Sequence, residues 1–218
     1  MPLSKIRKIN ESTLLGFWSI TESAAELAAL FRKIRPEQEI KQFKVETRQR
    51  EWLASRILTY VLLQDFTSYP HLLSSDANGK PVFEGTIFRV SISHSDSHAA
   101  VLLSSCYEVG IDIEIIREKI MALATKFLSE EEQKFTGNDL ANTCLYWSAK
   151  ETLYKMYSRK QLLFRENLAL GPVNGKATGI LDGKVITDNF KQSYAVHYEK
   201  NLNFILTYCL ALPQPAKS

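Results

Sequence analysis

The chain has 218 residues, of which 45% are hydrophobic and 23% are charged, and its formal net charge is +3. This composition is typical of a soluble globular protein of one or two small domains; the weak net charge argues against nucleic-acid binding, and the lack of a long apolar run argues against a membrane span. No apolar segment follows the basic first residues, so we expect a cytoplasmic protein and not a secreted one. Cys106, Cys144 and Cys209 have no metal-ligand spacing, so we expect them to be reduced thiols in the core.

The first part of the chain predicts helices followed by strands. Apolar spacing predicts a helix over residues 22–32, and a second helix is predicted from near Pro36, continuing with an interruption through residues 47–66. The turn sequence at residues 76–79 ends this helical region. Strands are predicted where β-branched and aromatic residues predominate, over residues 80–85, 86–95 and 98–116.

The second part repeats this order. Helical patterns cover residues 122–135 and 140–160, and strand patterns return over residues 175–213, with Asp182-Gly183 predicted as a hairpin turn. Helices then strands, twice over, indicate an α+β fold of two similar halves rather than a parallel βαβ series. We place the halves at residues 1–108 and 109–218.

The strand sequence GIDIE, residues 110–114, carries two carboxylates in an apolar run. Alternate side chains of a strand share a face, so Asp112 and Glu114 point the same way. In a partly desolvated site they would repel each other unless a cation lay between them, and oxygen ligands on a rigid strand suit Mg²⁺. The alternative is an exposed edge strand with two solvated acids.

The helix sequence WSAKETLYK, residues 147–155, adds a third acid. Trp147, Glu151 and Lys155 are spaced i, i+4 and i+8 on one helix face, and Lys150 lies at the edge of that face. A carboxylate beside a lysine would complete a metal site, act as a base and neutralise phosphate charge. The alternative is a solvated Glu–Lys pair that contributes a few tenths of a kcal/mol.

Two further segments offer cationic groups for an anion. In SISHSDSH, residues 91–98, His94 is a candidate phosphate contact, with a structural histidine as the alternative. The His94 and His98 spacing is a weak zinc motif, because the segment is predicted as a strand and no glutamate follows the first histidine. Lys80 ends a turn, where its ammonium would meet a phosphate or remain solvated.

The helix sequence RQREWLASR, residues 48–56, supplies three arginines. On a helix Arg48 and Arg56 lie about 80° apart, whereas Arg50 is nearly opposite Arg48. The forked donors of a guanidinium suit phosphate, and the alternative for each arginine is a surface or ion-paired position.

Together these segments resemble the 4′-phosphopantetheinyl transferase superfamily, specifically its two-half, surfactin-synthetase-activating type. The strongest signatures of that family, G-[IV]-D-[IL]-E and W-[ST]-x-K-E-x-x-x-K, stand here at residues 110–114 and 147–155. Shorter matching segments occur in family order at residues 48–56, 79–81, 91–95 and 127–132. Departures from the family pattern fall at Gln49, Ser91 and Thr152.

The resemblance implies a pseudo-twofold α+β monomer with its site at the junction of the halves, the nucleotide on the N-terminal side and the metal on the C-terminal side. It implies a holo-acyl-carrier-protein synthase activity that depends on Mg²⁺. The 4′-phosphopantetheine group of coenzyme A would pass to a serine of an apo acyl or peptidyl carrier protein, and adenosine 3′,5′-bisphosphate would be released. The carrier would belong to fatty-acid, polyketide or nonribosomal-peptide synthesis.

Residue roles follow from the resemblance position by position. The expected metal ligands are Asp112, Glu114 and Glu151. The expected catalytic residues are Asp112, Lys155 and Glu151, the last acting as a base directly or through a metal-bound water. The expected coenzyme A contacts are Arg48, Arg50, Arg56, Lys80, Pro81, Ser93, His94, Glu132, Lys150 and Lys155.

Two other functions use the same residues. A Mg²⁺-dependent hydrolase of nucleotide pyrophosphates would need the acids but no carrier protein. A catalytically silent module that binds carriers or coenzyme A would not need them, and the presence of Asp112, Glu114, Glu151 and Lys155 together argues against it.

Overall fold

A computed structural model describes residues 5–158 and 162–213. The strands are β1 Lys5–Asn10, β2 Thr13–Ser19, β3 Leu73–Ser75, β4 Pro81–Phe83, β5 Arg89–Ser95, β6 His98–Ser104, β7 Glu108–Ile115, β8 Leu168–Leu170, β9 Thr178–Thr187, β10 Phe190–Lys200 and β11 Phe204–Ala211. The helices are α1 Ala24–Ile34, α2 Glu46–Gln64, α3 Ala124–Phe127, α4 Glu130–Thr136, α5 Leu140–Tyr157 and α6 Phe164–Asn167, with a 3-10 helix at Glu118–Leu123. None of the helices described is both long and apolar enough to cross a bilayer.

The N-terminal half is an antiparallel sheet in the strand order β1-β2-β6-β5-β4-β3. The long helix α2 packs against its central strands and buries Leu53, Ile57 and Leu58, whose spacing places them on one side of the helix. The shorter helix α1 packs on α2 and starts in a capping box, in which Ser23 and Glu26 exchange hydrogen bonds. This arrangement fixes α2 above β5.

The C-terminal half is an antiparallel sheet in the strand order β7-β11-β10-β9-β8. Helix α5 packs across β7, β11 and β10. The carboxylate of Asp139 caps its first turn by accepting from the backbone N–H of Asn142, and Ser158 ends it in the left-handed region, at φ 56°. Helix α5 therefore lies directly above the strand that carries GIDIE.

The halves meet where β5 of the first sheet lies beside β7 of the second. Ile111 and Ile113 pack there with Leu102 of β6 in a separate apolar cluster, which leaves the intervening carboxylates on the other face of β7. Helix α5 approaches β7 closely at Gly110, where a Cβ would lie 2.8 Å from the carbonyl oxygen of Thr152. The signature glycine is thus required by packing.

The predicted α+β class with two halves is confirmed, but the halves differ in detail. The first begins with the hairpin β1–β2 and not with a helix, and α2 begins at Glu46 and not near Pro36. The predicted single strand over residues 98–116 is two strands, β6 and β7. Of the cysteines, Cys144 and Cys209 are buried as expected, whereas Cys106 is exposed; all three are free thiols.

The predicted hairpin turn at Asp182-Gly183 is wrong. Both residues lie within β9 and pair with Ala195 and Tyr194 of β10, and the chain reverses after Thr187. Gly183 is present for another reason, because a Cβ there would lie 2.9 Å from a methyl group of Val196. In this chain the glycine of the Asp182-Gly183 pair allows close packing against the neighbouring strand, and the pair does not form a turn.

Candidate active site

Strand β7 places Asp112 under α5 in a buried position, where the residue is 5% exposed. Its Oδ1 accepts hydrogen bonds from the Lys155 ammonium and the Ser93 hydroxyl, each at 2.8 Å. Its Oδ2 is buried and has no hydrogen-bond partner among the residues described. A buried carboxylate oxygen without a partner is costly, so the site favours a ligand at this atom.

Glu114 lies two residues further along the same face of β7. Burial and the neighbouring Asp112 charge raise the pKa of its carboxyl group, whereas a hydrogen bond from the side chain of Trp147 lowers it. The hydroxyl of Ser95 lies 3.5 Å from its Oε1. The predicted shared face of Asp112 and Glu114 is therefore present, directed towards α5 and β5 and not towards solvent.

Glu151 is the third acid, on the face of α5 that looks onto β7. Burial and the charges of Asp112 and Glu114 raise its pKa to about 7, and Lys155 opposes that shift. The carboxylates thus lie within electrostatic range of one another. No group of three or more His, Cys, Asp or Glu side chains within the described ranges is close enough to hold a metal ion as it stands.

Lys155 joins the helix to the strand. Its ammonium donates to the backbone carbonyl of Ile111 and to the carboxylate of Asp112, both at 2.8 Å. With Trp147 near Glu114 and Lys155 on Asp112, the i, i+4, i+8 face of α5 is turned to β7 as the sequence predicted.

Two adjoining cavities open beside Lys155. The Lys80 cavity, of about 240 Å³, is lined by residues that include Lys80, Pro81 and Ser91. The Arg56 cavity, of about 330 Å³, is lined by residues that include Arg56, Ser93, His94 and Lys155. Both lie at the junction of the halves, where cationic side chains from each half converge.

The turn before β4 presents Lys80 to its cavity. Asp76 accepts from the backbone N–H groups of Asn78 and Lys80 at 2.8 and 2.9 Å, and Gly79 adopts φ 87°, which side chains rarely tolerate. The Lys80 ammonium lies 3.3 Å from the carboxylate of Glu108 at the start of β7. A turn of the first half is thereby tied to the second.

The three arginines of α2 separate clearly. Arg56 lies over the ring of Trp52, with its guanidinium carbon 4.0 Å from the ring centre, and burial lowers its pKa to about 10. Arg50 donates to the backbone carbonyls of Glu22 and Ile20, which fixes the segment before α1. Arg48 is exposed. Only Arg56 of the three lines a cavity beside Lys155.

Two predicted coenzyme A contacts, Lys150 and Glu132, are buried and line neither of the two cavities. Lys150 is fully buried, and its ammonium donates to the carboxylate of Glu132 at 2.8 Å. Three backbone carbonyls, of Phe127, Phe164 and Leu168, lie within 2.9 Å of the same nitrogen. An ammonium with four acceptors has no proton left for a ligand.

Two acidic residues beside the predicted cations were missed. Glu108 meets both Lys80 and Arg89, and Glu51 meets His94. The period of two along β7 places Glu108 on the face of Asp112 and was available as a signal. No local pattern pairs Glu51 with His94, because that contact joins α2 to β5.

Comparison with known proteins gives the same family. A model of the 4′-phosphopantetheinyl transferase superfamily matches residues 108–209, and a model of the 4′-phosphopantetheinyl transferase N-terminal domain matches residues 35–104.

Among curated proteins, 4′-phosphopantetheinyl transferase AcpT from Salmonella typhi is 34% identical over 128 residues, and AcpT from Salmonella typhimurium is 33% identical over the same length. The alignment covers 55% of this chain and 65% of each relative, slightly less than two thirds of their length. The first family model ends at residue 104 and the second, which starts at residue 108, includes Asp112, Glu114 and Glu151. This chain belongs to the 4′-phosphopantetheinyl transferase superfamily.

Proposed function

We propose that this protein transfers the 4′-phosphopantetheine group of coenzyme A to a serine of an apo acyl or peptidyl carrier protein and releases adenosine 3′,5′-bisphosphate. The observation that carries the proposal is the buried, unpartnered Oδ2 of Asp112 in a cleft shared with Glu114 and Glu151. Carboxylates this close in a buried cleft repel one another, so the cleft favours a bound cation. The cavities beside it are lined by cationic side chains, which suit a phosphorylated substrate.

The donor set fits Mg²⁺. Asp112, Glu114 and Glu151 offer oxygen ligands only, and a divalent cation would offset the burial and the mutual repulsion that raise the pKa of Glu114 and Glu151. When bound, Mg²⁺ would neutralise pyrophosphate charge. Because the acids alone form no ready ligand group, we infer that the phosphate oxygens of coenzyme A complete the site.

The residues of the chain supply the remaining chemistry. Lys155, fixed by Ile111 and Asp112, would hold its ammonium near the 5′-phosphate of the leaving adenosine 3′,5′-bisphosphate, which gains charge as the pyrophosphate bond breaks. We assign Glu151 as the base that accepts the proton of the carrier serine, directly or through a water; its pKa of about 7 applies to the site without a cation, and a bound Mg²⁺ would lower it. The catalytic side is thus formed by residues 109–218.

The nucleotide side is formed by residues 1–108. Lys80, Pro81, Ser93, His94 and Arg56 line the two cavities, so we assign coenzyme A to them. Both sides of the cleft come from one chain, which favours a monomer. We also propose a cytoplasmic location, where coenzyme A and carrier proteins would be available to the enzyme.

The test is incubation of the protein with coenzyme A, Mg²⁺ and a panel of apo carrier proteins, followed by mass spectrometry of the carriers. We expect one phosphopantetheine mass on the carrier serine. Glu151→Gln is expected to remove transfer while coenzyme A binding persists, and Glu131→Gln, at an exposed position of α4, is the matched control. Release of free phosphopantetheine with unmodified carriers would instead identify a hydrolase, and wild-type turnover in Glu151→Gln would contradict the role as base.

A further inference from the structure

Glu51 is a buried carboxylate without a role in the function described so far. It lies on α2 and is 7% exposed. Its Oε2 lies 3.2 Å from Nδ1 of His94 on β5. A buried carboxylate is costly unless it is paired, so the position of Glu51 requires a partner such as this imidazole.

The contact determines which nitrogen of His94 faces the cleft. A carboxylate at Nδ1 requires a proton on that nitrogen, which leaves Nε2 for a ligand. The imidazole is 45% exposed and lines the Arg56 cavity. Glu51 therefore fixes the orientation of the ring and directs Nε2 into the cavity.

Two cationic residues, Arg56 and Lys155, line this cavity together with His94. Arg56 lies on the ring of Trp52 and makes no ion pair with a carboxylate among the residues described. Lys155 shares Asp112 with Ser93. His94 of β5 and Arg56 of α2 thus face one space of about 330 Å³, which Lys155 of α5 also lines. The charge and the size of this space suit a phosphate monoester, which is dianionic near neutral pH.

We propose that Glu51 is a positioning residue for the phosphate monoester of the nucleotide, which it serves by holding His94 in place beside Arg56 in this cavity. The inference rests on the proposed function, because coenzyme A carries such a monoester at its 3′ position. Glu51 does not touch the ligand. It acts by keeping the second nitrogen of His94 directed at it.

The experiment compares Glu51→Gln with wild type on two substrates, coenzyme A and dephospho-coenzyme A, which lacks the 3′-phosphate. We expect the KM for coenzyme A to rise about tenfold, with kcat and the KM for dephospho-coenzyme A changed less than about twofold. Glu46→Gln, at an exposed position in the first turn of the same helix, is the matched control and is expected to behave as wild type.

A double-mutant cycle tests the route through His94. If Glu51 acts through the imidazole, Glu51→Gln added to His94→Gln raises the KM for coenzyme A no further than His94→Gln alone. Additive effects, or an equal rise for both substrates, would overturn the proposal. Glu51→Asp, which keeps the charge on a shorter side chain, is expected to fall between wild type and Glu51→Gln, and it replaces Glu51→Gln if that variant does not fold.

A binding measurement separates this inference from the transfer activity. Calorimetric titration with adenosine 3′,5′-bisphosphate and with adenosine 5′-monophosphate needs no carrier protein and no turnover. We expect Glu51→Gln to weaken the bisphosphate about tenfold and to leave the monophosphate unchanged. Equal affinity of wild type and Glu51→Gln for the bisphosphate would contradict the role of Glu51, whereas a lack of transfer with this difference present would contradict only the proposed reaction.

Discussion

Helix α5 carries two lysine ion pairs that have the same length and opposite surroundings. Lys150 meets Glu132, and Lys155 meets Asp112, each at 2.8 Å. In the first pair the carboxylate also accepts from the backbone N–H groups of Ser129 and Leu170, so both of its oxygens are used. In the second pair Asp112 keeps one buried oxygen that has no hydrogen-bond partner in the described part of the chain. The completed pair belongs to the packed interior, and the incomplete pair is where we propose that the ligand binds.

The comparison shows that the presence of a buried charge alone does not identify a functional site. The completeness of its hydrogen bonding does, because a satisfied network has no capacity left for a ligand. The two lysines are neighbours in one motif, and only the structure separates their roles.

The largest expected effect is on stability at the completed pair. Lys150→Met leaves the Glu132 charge and three carbonyl groups buried without their donor, so we expect the free energy of unfolding to fall by about 3–5 kcal/mol. Chemical denaturation of wild type and variant measures this. A loss below about 1 kcal/mol would show that the network is less important than its burial indicates.

The next effect is on catalysis at the incomplete pair. Lys155→Met removes the ammonium beside Asp112 and is expected to lower the rate of transfer about 100- to 1000-fold, with cooperative unfolding retained. Single-turnover transfer to an apo carrier measures the rate, and Lys155→Arg is the control that keeps the charge. If Lys150→Met and Lys155→Met lost stability and activity alike, the contrast between the two pairs would be wrong.

The smallest effect is a pH dependence of stability without added divalent cation. The pKa of Glu151 is raised from 4.5 to about 7 in the folded state, so the folded protein binds more protons than the unfolded chain between these values. Wild type therefore loses stability as the pH rises through that window, and Glu151→Gln does not lose this part. We expect the variant to be about 1–3 kcal/mol more stable near pH 8, with no difference near pH 4.

Thermal unfolding across this pH range, with chelator present, measures the difference. If the proposed metal site is right, added Mg²⁺ will stabilise wild type more than Glu151→Gln, because the ion would bind the folded state through this carboxylate. A constant difference at all pH values would show that Glu151 is not the group that titrates.

Local periodicity was enough to predict the core of the site. The period of two in β7 put Asp112 and Glu114 on one face, and the helical period put Trp147, Glu151 and Lys155 on another. These statements depend on a single element each. They agree with the structure because no partner element has to be known.

The predictions that differ depend on contacts between distant segments. Lys150 lies only one residue before Glu151, and its burial is decided by α4, α6 and β8, which the helical period cannot show. The choice of Arg56 depends on where β5 and the Lys80 turn lie relative to α2. The role of Gly183 depends on a methyl group of the neighbouring strand. In each case the position of the residue is decided by elements that are distant in the sequence, and a local pattern does not contain that information.

The hydroxyl of Ser93 on Asp112 has a practical consequence for anyone who divides this chain. Ser93 comes from the first sheet and Asp112 from the second. A break between β6 and β7 would therefore separate the Asp112 carboxylate from one of its two hydrogen-bond donors. If these carboxylates hold an ion as proposed, fragments made this way would have to reassociate in register before Asp112 was positioned to bind it. Recovery of ion binding on mixing would therefore report correct docking of the fragments more directly than their affinity for each other.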